Sequence, residues 1–160
     1  MGDRSFLVEL GEKICPDVNC RVQQLMRQLQ DACLPGVREL APGYRSLLVV
    51  FDPLAITPDH LKARILEIDA GSAAAGLPPA KRVTVPVFYG GEYGPDLDAV
   101  AAHLGTSTDE VIRLHTGTIY RVYMIGFTPG YPYLGELPIE LAVPRRSTPR
   151  TRVPKGSVGI

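Results

Sequence analysis

The chain has 160 residues, 45% of them hydrophobic and 21% charged, the composition of a folded protein with apolar material for one ordinary domain or two small ones. Lys plus Arg number 17 and Asp plus Glu 17, which excludes a global pull toward nucleic acid or an anionic membrane and leaves only local charge to act. The N-terminal stretch MGDRSFLVELGEK has acids beside its one short apolar run, and no later run approaches the roughly 18 apolar residues of a spanning helix, so a cytoplasmic protein is expected.

Taken in order, Ser5 to Leu10 is a short apolar run closed by Gly11 and reads as a strand. Asp17 to Ala32 carries Val18, Val22, Leu25, Met26 and Leu29 at spacings of three and four, the stripe of an amphipathic helix. Pro16 and Asp17 suit its start, where a missing donor and a negative charge are tolerated, and Pro35-Gly36 stops it. Val37 to Leu40 and Arg45 to Phe51 flank Ala-Pro-Gly-Tyr and predict a hairpin. Thr57-Pro58-Asp59 caps a second helix with Leu61, Ile65, Leu66 and Ile68 as its stripe. Gly71 to Pro79 has linker composition. Arg82 to Tyr89 (RVTVPVFY) alternates and predicts a strand that Pro86 confines to an edge. The order β, α, β, β, α, β is that of a ferredoxin-like unit, which makes residues 1–89 a candidate small α+β domain.

A second domain is expected over 90–160. Gly94-Pro95-Asp96 opens a short helix with Leu97, Val100, Ala101 and Leu104 inward, and Ser107 with Glu110 forms a capping box for another ending near His115. Thr118 to Ile125 alternates apolar side chains on both faces and predicts a strand covered on both sides. Gly126 to Ile160 then holds six of the fifteen prolines. Proline fixes φ and removes a donor, so this stretch is expected to be a rigid shaped loop, neither helix nor central strand.

Chemistry-bearing residues are sparse. Cys15, Cys20 and Cys33 include no CxxC pair and read as reduced thiols. His60, His103 and His115 stand far apart, each in a predicted helix, and read as ordinary surface or cap residues rather than metal ligands. Ser157 in Lys155-Gly156-Ser157-Val158-Gly159 is out of register for a nucleophile elbow. Glu92, Asp96 and Asp98 gather at a helix start, where the macrodipole alone accounts for acids. No Walker sequence is present, so a nucleotide site would be built differently or lie on a partner. The exception is the basic run: from Arg121 to Ile160 there are six Lys and Arg against two acids. Pro144-Arg145 and Pro149-Arg150 repeat a rigid unit that lowers the entropy of holding guanidiniums in place, and guanidinium forks suit carboxylate or phosphate.

The pieces GPDLDAVAAHLG, VIRLHTGTIYRVYMIGFTPGYPYLG and LAVPRRSTPRTRVPKGSVGI, with YRSLLVVFDP in the first half, resemble the family of KipI and the 5-oxoprolinase B-type subunit, also named after the first subunit of allophanate hydrolase. The GF-x-PG-[FY]-PYL and PR-x-x-x-PRT-x-VP-x-GS blocks carry the likeness, which runs over nearly the whole chain. It implies a small N-terminal α+β domain followed by a cyclophilin-like β-barrel. Because family members continue past the position of Ile160, the barrel is expected to be incomplete here. The resemblance also implies heteromeric partners, a homologous barrel protein of the KipA or 5-oxoprolinase C-type kind and a third oxoprolinase subunit, which together open 5-oxoproline to glutamate at the expense of ATP, with Mg expected beside the nucleotide at the level of the complex. Other branches imply inhibition of a sensor histidine kinase or a carboxyltransferase module of urea and allophanate metabolism. On this reading Arg145, Arg150, Arg152 and Lys155 would meet phosphate and carboxylate, and Gly126, Pro129, Gly130, Tyr131 and Tyr133 would shape a cleft wall. The resemblance assigns no catalytic residue, no metal ligand and no activity to this chain alone.

Overall fold

The computed structural model describes residues 3–71, 77, 79–126 and 128–160. Helices and strands are mixed, and the chain divides into two compact units, one of residues 1–81 with 122–133 and the other of residues 82–121 with 134–160.

The first unit is built on a three-stranded antiparallel sheet. Strand β1 (Ser5–Glu9) and strand β2 (Val37–Pro42) flank β3 (Ser46–Phe51), giving the order β1-β3-β2. Leu47, Val49 and Phe51 of β3 are buried while the residues between them are half-buried, the alternation that the pleat imposes when one face is covered. Helix α1 (Pro16–Ala32) and helix α2 (Pro58–Ala70) supply the cover. Val22, Leu25 and Leu29 of α1 and Leu61 and Ile65 of α2 close the core with the β3 side chains, and Phe6 stacks on Phe51 with ring centroids 5.2 Å apart. Each such buried aliphatic side chain contributes about 1.5 to 3 kcal/mol relative to exposure.

Local signals explain the boundaries. Pro16 stands in the first turn of α1, where its missing N–H is no loss, and the helix ends with Cys33 in the left-handed region at φ 45°. Gly36 follows at φ 92°, where a Cβ would meet Ile56 Cγ2 at 2.7 Å, so both backbone angle and space demand glycine. Thr57 accepts from the His60 amide at 3.4 Å and caps α2 as expected. Leu66, expected on the buried stripe, is 60% exposed; the stripe narrows to Leu61, Ile65 and Ile68 because one helix flank suffices to cover β3.

The predicted strand Arg82–Tyr89 is corrected by the structure: these residues join no sheet, and Val83 and Val85 are each 67% exposed. Alternation gives a chain the capacity for a strand, but a ladder also requires a partner edge. The first unit therefore shows five of the six elements expected of a ferredoxin-like unit. Most of the expected linker, residues 72–76 and 78, lies outside the described residues.

In the second unit, helix α3 (Leu97–Leu104) and helix α4 (Thr108–Gly117) pack with a 3-10 turn at Ile139–Leu141. Ala101, Val111 and Leu141 form its small core, with Leu97, Val100, Leu104 and Leu114 packed around them. Ser107 accepts from the Glu110 amide at 3.2 Å, which is half of the expected capping box. The other half is absent, since the Glu110 carboxylate turns to Arg113.

Strand β4 (Arg121–Ile125) pairs with β5 (Pro132–Gly135) as a hairpin. The expectation that β4 is covered on both faces is corrected: Tyr123 alone is buried in it, and Ile125 and Val122 are exposed. The barrel expected over 90–160 is represented among the described residues by this one hairpin. Among the described residues no helix is long and apolar enough to cross a membrane.

Candidate functional site: an aromatic row and an arginine clamp

The expected loop from Gly126 onward begins as a turn. Gly130 has φ 84°, the Tyr131 amide donates to Thr128 O at 3.1 Å, and the Gly126 amide donates to Tyr131 O at 3.0 Å. Pro129 presets the first central position and Gly130 supplies the positive φ of the second, as a type II turn requires. Phe127 lies outside the described residues. The turn places Tyr131 against Tyr133 edge to face, with centroids 5.3 Å apart. Tyr133 in turn meets Tyr44 at 6.1 Å, and Tyr44 meets Tyr123 at 5.5 Å. Four tyrosines thus form a row within the first unit, running from buried Tyr123 to Tyr131, which is 46% exposed. Such contacts add about 0.5 to 1.5 kcal/mol each beyond burial.

The buried end of the row is pinned by α1. Asn19, 3% exposed, donates through Nδ2 to Gly43 O, Tyr44 O and Tyr123 O at 3.3, 3.1 and 3.2 Å. Gln23 Nε2 also donates to Tyr123 O, at 3.2 Å. Asn19 occupies a position on the apolar side of α1, and a polar residue there is the sequence signal for this anchor.

The basic candidates fall in the second unit and divide into two groups. Arg150 grips Asp96 with both arms: Nη1 donates to Oδ2 at 2.6 Å and Nη2 to Oδ1 at 2.7 Å. Arg146 adds Nη1 to the same Oδ1 at 2.5 Å. The fork is the geometry in which guanidinium binds carboxylate best. The Arg150 hydrogen bond foremost, with the two guanidinium charges behind it, holds the Asp96 carboxyl below its usual pKa against the opposing effect of partial burial. The macrodipole account of Asp96 is therefore incomplete, because its partners lie 50 and 54 positions away. Arg145, Arg152 and Lys155 are exposed and have no hydrogen bond or ion pair among the described residues. Lys155 sits in the turn closed by the Ser157 amide on Pro154 O at 3.2 Å.

Gly126, Pro129, Gly130, Tyr131 and Tyr133 thus belong to one unit, and Arg145, Arg150, Arg152 and Lys155 to the other.

A third cluster is one that the sequence does not announce. His115 Nδ1 lies 2.5 Å from the Tyr89 hydroxyl, and the Tyr120 ring stands 5.3 Å from the imidazole while its hydroxyl donates to His115 O at 3.1 Å. Burial lowers the His115 pKa, and burial also raises those of Tyr89 and Tyr120. A neutral His115 accepting from Tyr89 satisfies both groups. Tyr89 is 26 residues from His115 in a segment that reads as a strand, so spacing carries no signal. Among the described residues no group of three or more His, Cys, Asp or Glu could hold a metal ion.

The whole chain, residues 1–160, matches the family model for the carboxyltransferase domain, subdomain C and D. It is 36% identical over 170 residues to a Bacillus subtilis (strain 168) protein named as the B-type subunit of 5-oxoprolinase, covering 100% of this chain and 71% of that protein. A protein of the same name from Escherichia coli O157:H7 is 38% identical over 161 residues, covering 100% and 72%. The crystal structure of TTHA0988 superposes with a TM-score of 0.80 at 36% identity over 94% of this chain, which spans 29% of that one. The chain therefore belongs to the carboxyltransferase domain, subdomain C and D, family, together with the proteins named as 5-oxoprolinase B-type subunits.

Proposed function

We propose that the chain is one subunit of an ATP-dependent 5-oxoprolinase, acting in the cytoplasm with a homologous C-type subunit and a third protein. A five-membered lactam is a stable amide, and its opening requires the carbonyl oxygen to become a better electron sink. ATP would supply that activation. The sequence lacks a phosphate-binding glycine loop, so the nucleotide is assigned to the complex and not to this chain by itself. What the chain would contribute is positive charge fixed in place, which stabilises developing negative charge without reorganisation.

One observation carries this reading: Arg146 and Arg150 are already arranged around a carboxylate, that of Asp96. The substrate is itself a carboxylate, and Arg145, Arg152 and Lys155 on the same segment are uncommitted cations for further anionic groups. Tyr131 and Tyr133, turned by Pro129 and Gly130, present an aromatic surface from their own unit. The test is 5-oxoproline-dependent ATP hydrolysis by the reconstituted complex. Arg152→Ala and Lys155→Ala are each expected to lower turnover by about tenfold or more, the effect of removing one charge-stabilising donor. Turnover unchanged in both variants would remove Arg152 and Lys155 from the reaction, and no turnover with the unmodified chain present would remove the activity.

A further inference from the structure

Asp96 is the N-cap residue of α3, the position where an aspartate ordinarily accepts from the first-turn amides of its own helix. It makes no such bond. Its carboxylate is turned to Arg146 and Arg150, so two guanidiniums share one carboxylate and a positive charge is left over. The segment that carries them, 142–160, contains no Asp or Glu, and Arg145, Arg152 and Lys155 add to its excess. The contact is also open to water: the side chains of Asp96, Arg150 and Arg146 are 37%, 38% and 55% exposed. Exposed ion pairs contribute little net stability, so the Asp96 contact can be exchanged for an equivalent one at small cost.

We propose that Arg146 and Arg150 form a carboxylate-binding site that Asp96 fills from within the chain, and that a ligand carboxylate binds by taking the place of Asp96. The exchange replaces the three guanidinium–oxygen bonds like for like. The displaced Asp96 stays beside the N-terminus of α3, where its charge meets the positive end of the helix. Asp96 thereby acts as an internal competitor: the fraction of molecules with the pair open sets the apparent affinity, and any change that removes the competitor tightens binding. This takes its ligand class from the oxoprolinase reading but does not need the lactam.

The test follows the side-chain Nε–H signals of Arg146 and Arg150 by nitrogen-15 NMR in the full chain, during titration with acetate, 5-oxoproline and the neutral lactam 2-pyrrolidinone. Acetate and 5-oxoproline are expected to shift both signals, 2-pyrrolidinone neither. Asp96→Asn is expected to lower the acetate Kd by about fivefold or more, the signature of a lost competitor. Asp96→Ala is read in the same way, and Arg150→Lys, which loses the fork, is expected to weaken binding. Absence of any acetate-induced shift, or an acetate Kd that Asp96→Asn and Asp96→Ala leave unchanged or raise, would overturn the proposal. So would loss of the folded spectrum in both variants, because the contact would then be a structural tie. Tightened acetate binding with no response to 5-oxoproline supports the carboxylate site while rejecting the lactam as its ligand.

Discussion

Asn19 and Tyr123 are 104 positions apart and joined by a hydrogen bond of 3.2 Å from the Asn19 amide to the Tyr123 carbonyl. The same nitrogen reaches Gly43 O and Tyr44 O, so two N–H groups serve three carbonyls and one is shared. Asn19→Ala is expected to destabilise the chain by about 1 to 3 kcal/mol, because Gly43 O and Tyr44 O lose this donor and Tyr123 O keeps only Gln23 Nε2. Asn19→Asp should be no better, since it sets acceptors against acceptors. Urea unfolding measures both; a loss below about 0.5 kcal/mol, the scatter of a neutral surface change, would show that the anchor is dispensable.

His115 makes stability depend on pH in one direction. Its folded pKa lies below the ordinary value of 6.5 because burial penalises the imidazolium. The unfolded chain therefore binds more protons between the folded value and 6.5, and stability is complete above that window and declines as pH falls through it. Melting temperatures at pH 7.5, 6 and 5 should decline for the natural chain and decline less for His115→Gln. A variant with the same slope as the natural chain would assign the pH dependence to other groups.

Two glycines should respond differently to a methyl group. A Cβ on Gly94 would lie 2.3 Å from Gly90 N and 3.0 Å from Gly90 Cα, both backbone atoms that cannot step aside. Gly94→Ala is expected to cost about 1 to 3 kcal/mol, the range for overpacking, and to loosen the start of α3. Hydrogen exchange at the α3 amides would register that loosening.

Gly130, at φ 84°, has no atom within 4 Å of the same position. Gly130→Ala should cost about 1 to 2 kcal/mol for the left-handed backbone alone and leave α3 exchange unchanged. Equal slowing or acceleration of α3 exchange in the two variants would contradict this separation.

Leu25 is 1% exposed at the centre of the first core. Leu25→Ala is expected to lower stability by about 2 to 5 kcal/mol through lost transfer energy and the cavity left behind, and calorimetry should show a lower melting temperature with the β1-β3-β2 circular-dichroism signal retained below it.

The local elements are legible where the physics is local. Thr57 and Ser107 mark helix starts because a hydroxyl beside free amides needs no distant partner, and SLLVVF reads as a strand because an apolar run of five between turn residues fits little else. Arg82–Tyr89 misleads, since its alternation states only which residues would share a face, not whether an edge is available. The site divides in the same way. That Arg145 to Lys155 form a basic segment is visible in the charge count, whereas the capture of Arg146 and Arg150 by Asp96 depends on a contact across 50 residues or more that no spacing encodes. Tyr89 and His115 escape notice for the same reason.

The hairpin residues 122–133 complete a unit whose other members all precede residue 82. A ribosome delivers the chain from its N-terminus, so Asn19 and Gln23 emerge long before the carbonyl they are to bind. Between those events Asn19 has only Gly43 O and Tyr44 O to bind, Gln23 Nε2 lacks the Tyr123 carbonyl, and Tyr44 lacks its aromatic neighbours. The final packing of the first unit can therefore begin only after residues 82–121 have been made, and those intervening residues have the opportunity to gather α3 and α4 first.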